Sequence, residues 1–362
     1  MNINVDFLII QAYKLLSLVG LFTVSVCGSI ASASTAPDYS AYHAGSYLTY
    51  LPNVDETDPS RLAHVPKLRI AFGDSSSGLH SIVMDTGSTG IVVSADRIPH
   101  FDQLPVTPGR LTYSSSGRIM IGVWVTVPVT IAGENGASVT TTSIPVLAVT
   151  RIECLPDARE CEPGDEPRGI AMMGIGFDRE SDGQAQSTPR NNPFLNVTSE
   201  QPMRHGYIVT RNGVHIGLTS ANTQRQFSYV KLAPNPNVEH EWMSASVCMT
   251  INHKPPAACG ISLVDTGVTA MFLTLPPAML EGAKTLSSGT TLSLSFPGAD
   301  NAANAAQYEL TVGGEATPLT PTSIHLNTTR PTPFVNTGVH FLNGFDVLYD
   351  ADGGFIAYRP VE

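Results

Sequence analysis

Positive charge is scarce in this sequence. Five lysines are spread over 362 residues, Lys and Arg together number 20 against 31 acidic residues, and the formal net charge is −11. No basic patch and no interleaving of basic with aromatic residues stands out, so no nucleic-acid partner is expected. Metal-ligand spacings are missing as well. There is no Cys-x-x-Cys and no His-Glu-x-x-His, and the ten histidines are scattered, so no metal site is expected. Nor is there a Gly-rich phosphate loop with a following lysine, or a Gly-x-Ser-x-Gly nucleophile elbow. No cofactor is expected.

Long apolar runs are confined to the N-terminus. Lys14 precedes LLSLVGLFTVSV at residues 15–26, and Ala31-Ser32-Ala33 follows. A short apolar core ahead of a small-residue site reads as a secretory signal peptide over residues 1–33, cleaved after Ala33. The alternative is an uncleaved signal anchor, since no charge occurs between Leu15 and Ala36. No other segment reads as transmembrane. The mature chain is expected to be secreted, extracellular or periplasmic, with no stable membrane span. Cys27 falls inside the signal, which leaves Cys154, Cys161, Cys248 and Cys259. Four cysteines in an exported chain suggest two disulfides. Three pairings are open; the local pairs Cys154–Cys161 and Cys248–Cys259 close short loops and are the ones expected.

Apolar and turn-forming residues, by contrast, are plentiful. Hydrophobic residues make up 42% and charged ones 14%, enough for a large core, and there are 31 Gly and 27 Pro. Short runs rich in Val, Ile and Thr recur between Pro, Gly, Ser and Asn clusters. That is an all-β pattern, long enough for about two domains.

One unit occurs twice. SIVMDTGSTGIVVSAD starts at Ser81, and SLVDTGVTAMFLTLP starts at Ser262. Asp85-Thr86-Gly87 aligns with Asp265-Thr266-Gly267, Thr89 with Thr269, and Ile91-Val92-Val93 with Met271-Phe272-Leu273. A single Asp-x-Gly beside a strand reads equally as a turn. Two copies, one in each half, argue for duplicated domains that each give one carboxylate to a shared site. Two aspartates a few ångströms apart cannot both ionise, because like charges repel strongly in a low-dielectric cleft. One is then a carboxylate able to take a proton from water, and the other a carboxylic acid able to polarise a carbonyl. Thr86 and Thr266 can brace the loops, and Gly87 and Gly267 let the backbone turn tightly.

These residues resemble the pepsin-like aspartic proteases, a bilobal family with one Asp-Thr-Gly loop per lobe; the likeness runs from about Lys67 to the C-terminus. The sharing of one proton is a general property of that family's dyad, not one special to this chain. The resemblance implies a bilobal pepsin-like acid protease fold, two duplicated β lobes with an interlobe cleft. Residues 65–222 would form the N-terminal lobe and residues 223–362 the C-terminal lobe. Residues 34–64 would be an N-terminal extension or short pro-like segment. It implies a monomeric aspartic endopeptidase acting on protein or peptide substrates. Asp85 and Asp265 would be catalytic, supported by Thr86, Gly87, Ser88, Thr266, Gly267 and Thr269. Residues 110–127 match the family's flap hairpin, with Tyr113 at the flap tyrosine. The loops that support the two aspartates would be Met172-Met173-Gly174 and Asn336-Thr337-Gly338.

The chain departs from the family at five places. Val92 stands at a usual tryptophan, and Asn336 and Thr337 are polar where apolar residues are usual. Val268 replaces a hydroxyl residue, whereas Ser88 keeps one in the first loop. Residues 34–65 are not rich in Lys or Arg, so a basic prosegment is missing or reduced. Two expectations follow. The chain is active once its signal is removed, and Asp265, with no donor at Val268, holds its proton to higher pH than Asp85. A catalytically inactive binding or inhibitory protein on the same fold is the alternative function.

Overall fold

The computed structural model describes residues 36–52, 61–73, 78–113, 116–156, 158, 161–224, 226–296, 306–327 and 330–361. The expected signal peptide lies outside them. Among the described residues no helix is long and apolar enough to cross a membrane. The described part is nearly all β, with helix limited to a few short turns.

Three sheets organise these residues. A ten-stranded sheet uses strands between Lys67 and Ile175, and a seven-stranded sheet uses strands between Ser246 and Asn336. A six-stranded sheet draws on both halves. Its order is Ser46–Thr49, Gly213–Leu218, Arg204–Val209, Phe345–Asp350, Phe355–Pro360 and Ser228–Lys231. Strand Ser46–Thr49 lies in the stretch read as an extension, yet it pairs antiparallel with Gly213–Leu218. Further on, the Leu62 N–H donates to the Asn343 side chain, which donates back to the Leu62 carbonyl. Residues 46–49 and 62 are thus woven into the body of the protein.

The two Asp-Thr-Gly segments share one local topology. Strand His80–Asp85 starts at the surface, with Ser81 exposed, and buries Ile82, Met84 and Asp85. The chain then turns and returns as Thr89–Ser94, buried throughout. Strand Ala171–Ile175 slots between these two, parallel to the first and antiparallel to the second, with Gly174 opposite Asp85. The second half repeats this. Phe334–Asn336 runs parallel to Lys254–Leu263 and antiparallel to Met271–Thr274, with Asn336 opposite Leu263. In each half a carboxylate therefore sits where a central strand ends.

Both expected disulfides are present, Cys154–Cys161 and Cys248–Cys259. The second joins directly opposed residues of a hairpin. Asn252 and His253 turn that hairpin with φ of 51° and 56°, the left-handed pair that a tight two-residue turn needs.

An aromatic cluster joins the shared sheet to the site. The Tyr207 and Tyr349 rings stack at 5.0 Å, and Phe177 meets Tyr349 edge-on at 5.3 Å. In the next register position of the same strands, Asp350 is fully buried. It accepts from Arg204 Nε at 3.0 Å and Nη2 at 2.9 Å, from the Tyr39 hydroxyl at 3.1 Å and from the Gly353 N–H at 2.8 Å. A buried carboxylate stripped of its cation costs several kcal/mol. Arg204→Leu is therefore expected to lower unfolding free energy by about 3–5 kcal/mol, read from urea midpoints. A loss below about 1 kcal/mol, the range of exposed pairs, would show that this clamp does not hold the shared sheet.

Candidate active site

Each Asp-Thr-Gly loop reaches across to the other through its threonine. The Thr86 hydroxyl donates to the Val264 carbonyl at 2.5 Å and accepts the Thr266 N–H at 2.9 Å. The Thr266 hydroxyl donates to the Met84 carbonyl at 2.8 Å and accepts the Thr86 N–H at 3.0 Å. A hydroxyl has one proton and free lone pairs, so each threonine satisfies two backbone groups of the opposite loop. Both side chains are buried, where an unmade bond costs about 1–3 kcal/mol.

This brace sets the carboxyls face to face. A Cβ placed on Gly87 would lie 2.5 Å from the Asp265 carboxyl, and one on Gly267 would lie 2.5 Å from Asp85 Oδ1. Only glycine leaves each carboxyl room against the opposite loop. Within its own loop each aspartate accepts a backbone N–H, Gly87 to Asp85 at 2.7 Å and Gly267 to Asp265 at 2.8 Å. The Ser88 hydroxyl donates to Asp85 Oδ2 at 2.5 Å. Asp85 and Asp265 are 5% and 8% exposed. Burial pushes the Asp85 carboxyl up to about 8; the Asp265 charge adds to the rise, and bonds from Ser88 and Gly87 oppose it. The two groups titrate as a pair.

At Asp265 the structure corrects the sequence reading. Val268 offers no donor, but Asn336 does: its Nδ2 reaches Asp265 Oδ2 at 2.6 Å. Asp265 is therefore not the donor-poor member. The polar residue in an apolar slot and the missing hydroxyl are two halves of one arrangement. Thr269 makes its side-chain bond to Thr322 at 3.1 Å rather than to a carboxylate. Its counterpart Thr89 is buried and bonds the Gly176 carbonyl and Ser187. Gln184 was not anticipated either. Its Nε2 donates to the Gly87 carbonyl at 3.2 Å and its Oε1 accepts the Thr89 N–H at 3.3 Å.

The carboxyls open into a cleft of about 1680 Å³ whose lining includes Asp85, Asp265, Tyr113 and Asn336. A hairpin of Thr107–Tyr113 and Arg118–Val127 forms one wall, with Tyr113 opposite Arg118. Tyr113 packs against a buried cluster that includes Val92, Leu111 and Met120. Its hydroxyl is buried with no hydrogen-bond partner among the described residues. Burial, then the Asp85 charge, holds that hydroxyl above its ordinary value. Across the cleft, Arg330 of the second half pairs with Asp182 of the first, and its guanidinium lies 4.0 Å from the Phe334 ring centroid. Asp182 also pairs with the buried Arg179 at 2.8 Å. Among the described residues no cluster of His, Cys, Asp or Glu could hold a metal ion.

No family profile and no curated protein sequence matches the chain. A solved structure does: the aspartic proteinase from Irpex lacteus, 13% identical, aligned over 88% of this chain and 98% of that one with a TM-score of 0.52. The chain has the pepsin-like aspartic protease fold.

Two buried carboxyls make stability depend on pH. Asp85 rises to about 8 and Glu241 to about 7, burial being the first cause of both. Folded, they keep protons that the unfolded chain releases near pH 4. The folded state then binds more protons, so their contribution is full below pH 4 and lost as pH rises through about 7 to 8. His205, raised by its bond to Asp352, acts in the same sense, and His215, lowered by burial, acts against it. Unfolding free energy is expected to fall between pH 5 and pH 8.5, with a shallower slope in Asp85→Asn and Glu241→Gln. An unchanged slope in both variants would contradict this.

Proposed function

We propose that this chain is an exported aspartic endopeptidase, cleaving peptide bonds with a water activated between Asp85 and Asp265. The observation that carries this reading is the apposition of the two buried carboxyls, each nested against the opposite glycine. One carboxyl of the pair keeps a proton and is the proton donor, and the other is the base.

The dyad holds one proton before and after each step, while two protons move in each. As water attacks the scissile carbonyl carbon, the ionised carboxyl takes one of its protons and the protonated carboxyl gives its own to the carbonyl oxygen. A neutral gem-diol results. On collapse the C–N bond breaks, and the carboxyl that took the water proton delivers it to the leaving nitrogen. The other carboxyl recovers a proton from a gem-diol hydroxyl, which restores the starting state.

The cleft suits an extended peptide. At about 1680 Å³ it exceeds the ~300–1,000 Å³ of small-molecule sites. Met120, Ile170 and Phe272 on its walls fit apolar side chains. Tyr113 lines the same cleft beside the dyad, close enough to feel the Asp85 charge. Two disulfides fit export into an oxidising compartment. The inactive-protein alternative drew on Val92, Val268 and Asn336-Thr337; the Asn336 bond to Asp265 supplies the donor that Val268 lacks and so favours the active reading.

Asp85→Asn is expected to abolish cleavage of a denatured protein substrate at acid pH while leaving the unfolding transition in place. A variant that kept most of its activity would overturn the assignment. No described residue between 36 and 64 lines the cleft. A chain beginning at Ser34 should therefore be active from time zero at acid pH. A lag that tracks loss of an N-terminal fragment in mass spectra would contradict that.

A further inference from the structure

We propose that Asn336 is a positioning residue that does for Asp265 what Ser88 does for Asp85: it donates to the outer carboxylate oxygen and holds it in place for reaction. This rests on the dyad reading above.

The two halves place their donors differently. In the first, the loop residue three after the aspartate is Ser88, whose hydroxyl bonds Asp85 Oδ2, and the supporting strand carries apolar Met172 opposite Val83. In the second, the residue three after the aspartate is Val268, and the supporting strand carries Asn336 opposite Leu263. Leu263 and Val83 both lie two residues before their aspartates, so Asn336 and Met172 occupy matching positions. Hydroxyl with apolar residue in one half becomes apolar residue with amide in the other. Each carboxylate ends with one backbone and one side-chain donor.

The amide is fixed in the donating sense. Asn336 Oδ1 accepts the Gly338 N–H at 3.0 Å, which turns Nδ2 toward Asp265 at 2.6 Å. The flipped amide would set a carbonyl oxygen against a carboxylate and an NH₂ against an N–H. Asn336 is 8% exposed, so water does not readily replace the bond.

The titratable groups around this pair are few. Asp85 faces Asp265 from the opposite loop, and Tyr349 acts on it from the shared sheet. The Tyr349 hydroxyl is held above its ordinary value by burial and stays neutral in the working range. His325 stacks on Phe272, the residue paired with Asn336. It is common to every variant below, so differences among them belong to the dyad.

The test compares wild type, Asn336→Leu, and Asn336→Leu with Val268→Ser, following urea unfolding and the pH dependence of kcat/KM. A donor lost from a carboxylate disfavours its charged form. Asn336→Leu is expected to move the acid limb up by about one pH unit and to lower kcat/KM about tenfold on that limb. Val268→Ser supplies a hydroxyl at the position Ser88 holds in the first loop, and should return the limb toward wild type. An unmoved limb in Asn336→Leu overturns the proposal. So does a folded double variant whose limb stays displaced, or failure of both variants to fold, since Asn336 would then serve stability alone. If wild type cleaves nothing, the peptidase reading fails separately. The same three proteins are then compared by infrared titration of the carboxyl band, where an upward shift in Asn336→Leu that the serine reverses supports the role, and no shift overturns it.

Discussion

The crossed bonds of Thr86 and Thr266 are the constraint on which the rest of this structure depends. They join loops 180 residues apart in sequence, and each hydroxyl closes a backbone donor and a backbone acceptor of the other loop. Without them two buried, mutually repelling carboxyls would have no reason to stay together. The strands behind each loop supply stiffness, and the glycines after each threonine supply space. The brace converts a like-charge repulsion into a retained proton, which is the chemically useful state of the pair.

Around that symmetric centre the halves differ. The first rests on a ten-stranded sheet whose edge hairpin, Thr107–Tyr113 with Arg118–Val127, walls the cleft, the second on seven strands that include a disulfide-clasped hairpin. The shared six-stranded sheet ties them together beneath the site through the Tyr207–Tyr349 stack and the Asp350 clamp. The Asp182–Arg330 pair ties them again along the cleft. The donors to the two carboxylates come from a loop in one half and a strand in the other. Exact repetition of side chains is therefore not what the site requires; an equal supply of donors is.

Much of this was legible in the residues. The duplicated Asp-Thr-Gly unit indicated that two loops would meet, because a lone carboxylate amid apolar strands needs a partner. Short runs rich in Val, Ile and Thr between turn residues marked the all-β class, and the short Cys–Cys spacings marked both disulfides. The Asn336–Asp265 bond was not legible, because it spans 71 residues and depends on strand register, which local pattern does not encode. Its signal lay in two departures read separately, Val268 and Asn336. The place of residues 46–49 in the shared sheet was hidden for a similar reason. A four-residue edge strand carries too little pattern to show its partner, and Gly213–Leu218 lies far along the chain. No sequence motif singles out Arg330 or Asp182; the fold sets them across the cleft.

The most direct test of the crossed brace is a double-mutant cycle on Thr86→Val and Thr266→Val, read by unfolding free energy and by kcat/KM. Residues acting as one unit couple strongly. Each single variant should lose nearly as much as the double, because breaking either bond set frees both loops. Losses that simply add would show two independent hydroxyls and contradict the account.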